Sequence, residues 1–459
     1  MHNKENDELL KNILDIRYFN IFKEDINSRN KQISNLELYI TSSCNLKCSY
    51  CYLNKYEHQL YPSGSTNFEQ ITKNLEILLN HFLEENYSID HIDLFSGEIW
   101  GTAVGNKILD LLLDARKKGF KFNNLMIPTN CTFILDPAKV QILENYIEEF
   151  SKLSVDLSIS ASIDGKLLED TTRPFRSSSD NIIRYRDDKF YDDVFSFCKK
   201  HNFLFHPMVA SHGIEKWINN YKWYKEIVLK YDFPLKEDSI MMLEVRNDDW
   251  TDASIEEYIK FVDFLIEDKI KDLGGIREFT NFLFNINNDN IGGYVPYSIP
   301  IGDNLMPCTI QQQLAIRLGD LSFVPCHRMA YDQFVFGSYE VKDESIVGIK
   351  ANNPEMAIKV MMSNPANSIH GCDVCKIRKV CMKGCFGAQF EYGEEPFMPL
   401  PSVCKLFLRK YTFLLNKYKE MGVFDIAMSY AKEDIQYSHF LEWLKIYYDI
   451  LEGENTCMN

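Results

Sequence analysis

The 459-residue sequence predicts an α/β protein: a parallel sheet with helices outside it over residues 35–275, then a cysteine-rich segment and terminal helices. Three observations predict it. Short apolar runs alternate with longer stretches of helical apolar spacing. Three cysteines follow the first apolar run at once, as Cys44, Cys48 and Cys51. More cysteines then crowd the stretch from residue 308 to residue 404.

The strand candidates are Leu36–Ile40, Ile92–Phe95, Leu125–Pro128, Leu157–Ile163, Leu204–Val209 and Ile240–Val245. Between them, segments such as Ile71–Phe82, Lys107–Lys118 and Tyr191–His201 repeat apolar residues at helical spacing. Successive strands start about 30–55 residues apart, the size of a βαβ unit. Six such units give a parallel sheet covered by helices, which a flavodoxin-like fold would also satisfy. In parallel barrels the chemistry collects at the carboxyl ends of the strands, and the motifs below fall there. After Cys404 the runs KLFLRKYTFLLNKYKEM and HFLEWLKIYYDIL are rich in helix formers and read as packed terminal helices. The segments are therefore 1–34, an N-terminal extension; 35–275, the sheet core; 276–410, the cysteine-rich domain; and 411–459, helical.

Composition narrows the function. The net charge of −16 offers no electrostatic footprint for nucleic acid or an anionic membrane. The start, MHNKENDELLKN, has no signal-peptide core, and no apolar run reaches membrane-spanning length. The chain thus reads as cytoplasmic. In that setting 13 cysteines read as metal ligands rather than disulfides.

The run CNLKCSYCY carries the most chemistry. Three thiolates hold three corners of a four-iron cube and leave one iron open to something that is not protein. A structural zinc site calls for four ligands, usually in paired spacings, and no fourth Cys or His follows nearby. With this run placed after strand one, the chain resembles the radical S-adenosylmethionine (radical SAM) superfamily. The resemblance implies a partial barrel of six strand–helix units, a 4Fe–4S cluster on Cys44, Cys48 and Cys51, and SAM chelated to its open iron. Tyr50 and Tyr52 flank the third cysteine and count among the implied cofactor-binding residues.

The remaining SAM contacts follow from the same resemblance. FSGEIWG, residues 95–101, stands where the family has two glycines and a glutamate for the methionine ammonium; Ser96 replaces the first glycine and Glu98 is kept. SISASIDG, residues 158–165, puts Ser158, Ser160, Ser162 and Asp164 at alternate positions. Its SIDG part is similar to a ribose-binding motif, which implies Ser162 and Asp164. Arg173 stands close to an arginine that binds the SAM carboxylate, with Arg176 as the alternative. TNC at 129–131 replaces the usual TNG, so that Cys131 becomes a candidate to face the cavity. Cys198 reads as buried in a helix, and Cys457 as part of a flexible terminus.

Cys308, Gly319, Cys326 and CDVCKIRKVCMKGC, followed by Cys404, resemble the SPASM extension, which holds auxiliary iron–sulfur clusters. The stretch from Gly319 to Cys326 is two residues longer than the usual form. The resemblance implies one complete cluster on Cys372, Cys375, Cys381 and Cys404. It implies another on Cys308, Cys326 and Cys385, open at one iron or closed by a ligand such as His327. The expected cofactors are thus SAM and three 4Fe–4S clusters.

The activity implied is that of a radical SAM peptide maturase acting on a ribosomally made precursor peptide or protein. A thioether or other crosslink is the expected product. A captured substrate thiolate on the open auxiliary iron would favour carbon–sulfur bonding. The expected electron donor is a flavodoxin or ferredoxin, with no nucleic-acid or membrane partner. Too few residues precede the first strand for the leader-binding winged-helix module of many such maturases. Two other readings stand beside this one. An anaerobic sulfatase-maturing enzyme would carry an aspartate where this chain has His327. A non-catalytic iron–sulfur scaffold finds support only in Ser96.

Overall fold

The computed structural model describes residues 4–18, 31–55, 67–95, 97–101, 104–176, 186–235, 240–288, 295–299, 313–358 and 395–452, and residues 371–393 except 373, 376, 379, 382 and 383. Ser96, Cys308 and Cys457 lie outside the described residues. The strands are β1 (Lys31–Tyr39), β2 (Tyr87–Phe95), β3 (Lys121–Thr129), β4 (Asp156–Ala161), β5 (Leu204–Phe205), β6 (Met208–Val209), β7 (Leu243–Glu244), β8 (Gln313–Arg317), β9 (Ser322–Val324), β10 (Gly337–Lys342) and β11 (Ser345–Ala351).

Nine of them form one sheet in the order β11-β10-β9-β8-β1-β2-β3-β4-β5, and β6 and β7 pair separately. β1 to β4 run parallel in sequence order. All six expected strand positions are therefore occupied. The early strands start sooner than their apolar runs, because the first residues, such as Lys31-Gln32 in β1, are polar and half-buried. The carboxyl ends of β1, β2 and β3 are mostly apolar on both faces, as parallel strands between helix layers require, whereas β4 alternates Leu157, Ile159 and Ala161 with Ser158 and Ser160. The fifth position breaks into β5 and β6 around His206-Pro207, since proline lacks the N–H that a continuous ladder needs.

The described residues contain one arrangement that the sequence reading does not anticipate. β8 adds to the free edge of β1 in parallel, Asn35 opposite Gln313 and Tyr39 opposite Arg317. β9, β10 and β11 then continue antiparallel. The cysteine spacing in this region masks the strand signal of QLAIR, all of which is buried.

Helix Phe68–Glu84 is capped by Asn67, whose side chain accepts the Gln70 N–H, and buries Ile71, Leu75, Leu78 and Phe82. Helix Val104–Lys117 buries Ile108, Leu109 and Leu112 on the matching stripe. Among the described residues, no helix is long and apolar enough to cross a membrane.

The chain forms two compact units. The first comprises Met1–Ser162, Pro174–Leu204 and Thr309–Pro365; the second comprises Ile163–Arg173, Phe205–Cys308 and Ala366–Asn459. In the second, helices Pro401–Glu420, Val423–Ala431 and Ile435–Glu452 pack with Asp252–Leu273 and Ile276–Asn288. Within it Lys410 pairs with Glu244 at the end of β7, and Tyr258 donates to the same carboxylate. All three side chains are buried. Burial alone raises the Glu244 carboxyl, but the Lys410 ammonium and the Tyr258 hydroxyl outweigh it and hold the group below its usual range.

Breaking that pair from one side leaves a buried charge uncompensated. Lys410→Met is expected to destabilise the protein by about 3–5 kcal/mol, read as a lower urea midpoint. Adding Glu244→Leu should recover part of the loss. No shift in the single variant would show that the pair is not buried in solution.

Candidate functional site

The first unit gathers the expected cluster loop at the carboxyl ends of β1, β2 and β3. The loop Cys44–Cys51 leaves β1 through Ile40, whose N–H bonds the Phe95 carbonyl at 2.9 Å. Cys44, Cys48 and Cys51 are half-buried and none is in a disulfide. Asn45 fixes the loop to the end of β3: its amide donates to Thr132 Oγ1 at 2.9 Å, and its Oδ1 accepts from Asn130 at 2.8 Å. A second strap comes from residues 174–176. Leu46 bridges Phe175, Lys47 N–H bonds the Pro174 carbonyl at 2.7 Å, and Arg176 Nε donates to the Leu46 carbonyl at 3.1 Å. Arg176 is thus engaged with the loop backbone. The Leu46 N–H lies 3.4 Å from Cys44 Sγ and Asn130 Nδ2 lies 3.8 Å from it. N–H donors around a sulfur favour its thiolate form. Half-buried thiols in reduced form, on a braced loop with such donors, fit an iron–sulfur cluster.

Glu98 is fully buried beside this loop. Its carboxylate accepts from Trp100 N–H at 3.2 Å, from Thr129 Oγ1 at 3.0 and 3.1 Å, and from Asn130 N–H at 2.7 Å. Its own N–H bonds the Ser43 carbonyl at 2.9 Å. Gly97 makes that approach possible, since a Cβ there would fall 2.2 Å from the Ser43 carbonyl oxygen. Cys131 takes φ 62, the left-handed region that glycine adopts without strain, and is buried. The TNG form of this turn has its physical reason there.

His327, which follows Cys326, donates its N–H to Glu37 Oε2 at 2.8 Å and sets Nδ1 3.2 Å from Glu37 Oε1. Its ring stacks on Phe95 at 3.6 Å between centroids, and Tyr52 stands 6.0 Å away. Arg328 lies over the Tyr52 ring at 5.2 Å. Tyr50 is half-buried in the cysteine loop, and Cys326 is buried. The one sequence signal for Glu37 is a carboxylate inside an otherwise apolar strand end.

Ser162 is half-buried and its N–H bonds the Thr129 carbonyl at 2.9 Å, the last contact of the first unit before the chain leaves it. In the second unit Asp164 is fully buried, and both carboxylate oxygens accept hydrogen bonds, from Thr172 Oγ1 at 2.6 Å and Met208 N–H at 3.0 Å. Glu169 Oε2 receives the N–H groups of Asp164 and Gly165, and Glu169 Oε1 lies 3.2 Å from Arg173 Nε. Arg173 is buried. His206, which the sequence reading overlooks, is pushed down to about 4 by burial and by Arg173.

Elsewhere in the second unit, Cys372, Cys375, Cys381, Cys385 and Cys404 line one cavity of about 270 Å³ together with Arg246. Burial and the neighbouring Cys372 and Cys375 push the Cys404 thiol up to about 11. Cysteine thiolates are the donors that iron–sulfur clusters take, four to a 4Fe–4S cluster, so this lining fits such a group. Among the described residues, no three His, Cys, Asp or Glu side chains are gathered as around a single metal ion. Cys198 is buried in helix Asp188–His201, and burial pushes its thiol up to about 12.

No family model matches the sequence, and no curated protein does. Solved structures are similar. The anaerobic sulfatase-maturating radical SAM enzyme anSMEcpe with bound AdoMet matches at TM-score 0.54 and 17% identity, over 84% of this chain and 98% of that one. The same enzyme with AdoMet and the Kp18Cys peptide matches at TM-score 0.52 and 18% identity, over 85% and 99%. This chain has the radical SAM fold. A weaker likeness, TM-score 0.44 and 14% identity over 81% of this chain and 76% of that one, is to Streptococcus suis SuiB bound to precursor peptide SuiA. In the radical SAM fold of this chain, β1 to β4 and the cysteine loop after β1 occupy the positions that the sequence motifs imply.

The depressed His206 value has a consequence for acid stability. An unfolded histidine takes up its proton near pH 6.5, whereas the folded one resists until about pH 4. Between those values the unfolded chain binds more protons, so this contribution is full above pH 6.5 and falls as pH drops toward 4. His206→Gln should flatten the loss of denaturant midpoint over that window; an unchanged slope would contradict the assignment.

Proposed function

We propose that this chain is a radical SAM maturase that modifies a peptide or protein, with a ribosomally made precursor as the substrate and a thioether or other crosslink as the product. The observation that carries the reading is the cysteine loop: Cys44, Cys48 and Cys51 follow β1 on a segment braced by Asn130, Thr132 and Pro174–Arg176, with Glu98 buried beside it.

In this reading Cys44, Cys48 and Cys51 hold a 4Fe–4S cluster with an open iron. Tyr50, Tyr52, Ser96, Glu98, Ser162, Asp164 and Arg173 bind SAM. Cys372, Cys375, Cys381 and Cys404 hold one auxiliary cluster, and Cys308, Cys326 and Cys385 a third. When reduced, such a cluster with bound SAM supplies a carbon-centred radical able to take a hydrogen atom from an unactivated carbon.

The chain's own residues bind, orient and exclude water. Glu98 offers a buried carboxylate to the methionine ammonium, a charge-assisted contact strengthened by its dry surroundings. The neutral donors Trp100 N–H, Thr129 Oγ1 and Asn130 N–H fix where its oxygens point. The Leu46 N–H and Asn130 Nδ2 donate toward Cys44 Sγ. Arg173, held by Glu169, offers a guanidinium to a carboxylate. In this reading a flavodoxin or ferredoxin supplies the electrons, and the chain works in a reducing cytoplasm.

Support for a peptide substrate comes from anSMEcpe, whose structure holds the Kp18Cys peptide. That likeness also favours a second reading, formylglycine formation on a sulfatase. Against it stands His327, bound to Glu37, where sulfatase-maturing enzymes carry an aspartate. Mass analysis of the reacted peptide separates the two: a crosslink keeps the substrate sulfur, and formylglycine formation from cysteine loses it. A non-catalytic scaffold would cleave no SAM.

Replacing Cys44, Cys48 and Cys51 with alanine should remove about four irons per chain and abolish SAM cleavage in the anaerobically reconstituted protein. Retained cleavage in that variant would overturn the assignment. Glu98→Gln should keep the full iron content and weaken SAM binding by about tenfold or more, because a neutral amide loses the charge-assisted contact. Unchanged affinity, measured by calorimetry, would mean that Glu98 serves only the fold.

A further inference from the structure

The second unit contains a buried polar side chain that its protein surroundings leave unsatisfied. Gln389 is 0% exposed, and among the described residues neither its Nε2 nor its Oε1 has a hydrogen-bond partner. It lies in helix Phe386–Gly393, one turn after Cys385, whose carbonyl accepts the Gln389 N–H at 2.9 Å. Gln389 is among the residues around the same cavity as Cys372, Cys375, Cys381, Cys385 and Cys404. The backbone makes room for it there: a Cβ at Gly384 would fall 2.4 Å from Gln389 Nε2.

A buried amide with both ends unpaired is costly, and a leucine would fill the same space without that cost. The amide therefore makes physical sense toward a group that occupies the cavity. Besides the cysteines, the cavity is lined by apolar residues such as Val403 and Phe407 and by the cations Arg246 and Arg378, which bring no acceptor. The acceptors that an iron–sulfur cluster brings are its sulfides and thiolates. Hydrogen bonding decides which end of a primary amide points where, so sulfur acceptors turn Nε2 inward.

We propose that Gln389 donates a hydrogen bond from Nε2 to a sulfur of the auxiliary cluster and thereby raises that cluster's reduction potential. The proposal rests on the reading of Cys372, Cys375, Cys381 and Cys404 as the cluster's ligands. Reduction adds one electron to the iron–sulfur core, and a donor at sulfur stabilises the more negative state more than the oxidised one. Gln389 is then a tuning residue. It neither ligates iron nor touches substrate, and Gly384 is what lets it reach the cluster.

The test uses the full-length protein, reconstituted without oxygen, with Cys44, Cys48 and Cys51 replaced by alanine so that only auxiliary clusters give signals. Iron is counted, and the clusters are titrated with dithionite while electron paramagnetic resonance follows the reduced form. Adding Cys375→Ala identifies the signal in question; if that change removes neither iron nor signal, the ligand reading fails, whatever Gln389 does. With the signal identified, Gln389→Leu should keep the iron and lower the reduced-to-oxidised ratio at fixed potential about tenfold, or about 59 mV for one electron. Gln389→Met, closer in shape and equally without a donor, should do the same if the leucine variant fails to fold. A midpoint that stays put or rises in a variant with full iron overturns the proposal.

Discussion

Glu98 receives hydrogen bonds from Trp100, Thr129 and Asn130, and so joins the end of β2 to the end of β3 inside the protein. Asn130 then passes the constraint on, because its side chain holds Asn45, which stands between the first two cysteines of the loop. Hydrogen bonds to a charged group contribute about 1.5–3 kcal/mol each, so this knot is among the stronger local restraints of the first unit. The cysteine loop has no regular secondary structure of its own. Its shape is inherited from the strand ends, from Gly97 against Ser43, and from the strap at Pro174–Arg176.

The second unit uses the same device with different residues. Glu169 receives the backbone of Asp164 and Gly165 and lies against Arg173, while Asp164 receives Thr172 and Met208. Farther along, Glu244 is held by Lys410 and Tyr258. In each case a buried carboxylate is met by donors from neighbouring segments, which for Glu244 are the helices Pro401–Glu420 and Asp252–Leu273. Burying these charges is unfavourable unless they are met by such donors. That requirement fixes the loops in one arrangement and presents side chains such as Arg173 and Ser162 from defined backbones.

Much of this was legible in the sequence, for physical reasons that can be named. Parallel strands between helix layers are apolar on both faces, so Leu36–Ile40 and Leu125–Pro128 stood out, whereas the polar first residues of β1 did not. The cysteines stand out in the sequence because their spacings are short and fixed, as cluster ligands require. β8 was hidden by its position among those cysteines, and its pairing with β1 is a long-range contact that no local pattern reports. Glu37, His206 and Gln389 were hidden for another reason. Each is a single polar residue in an apolar stretch, and only its partners, or the want of them, reveal what it does. Arg173 and Arg176 could not be separated by spacing; the folded chain sets Arg173 against Glu169 and Arg176 against the Leu46 carbonyl.

The central claim is that the cluster on Cys44, Cys48 and Cys51 keeps one iron open for SAM. Electron paramagnetic resonance of the reduced wild-type protein, recorded before and after saturation with SAM, tests it directly. The account predicts that one cluster signal changes on adding SAM, that the others stay as they were, and that the change is absent from the protein lacking these three cysteines. Signals that are all unaltered by SAM at concentrations where calorimetry shows it bound would contradict the account.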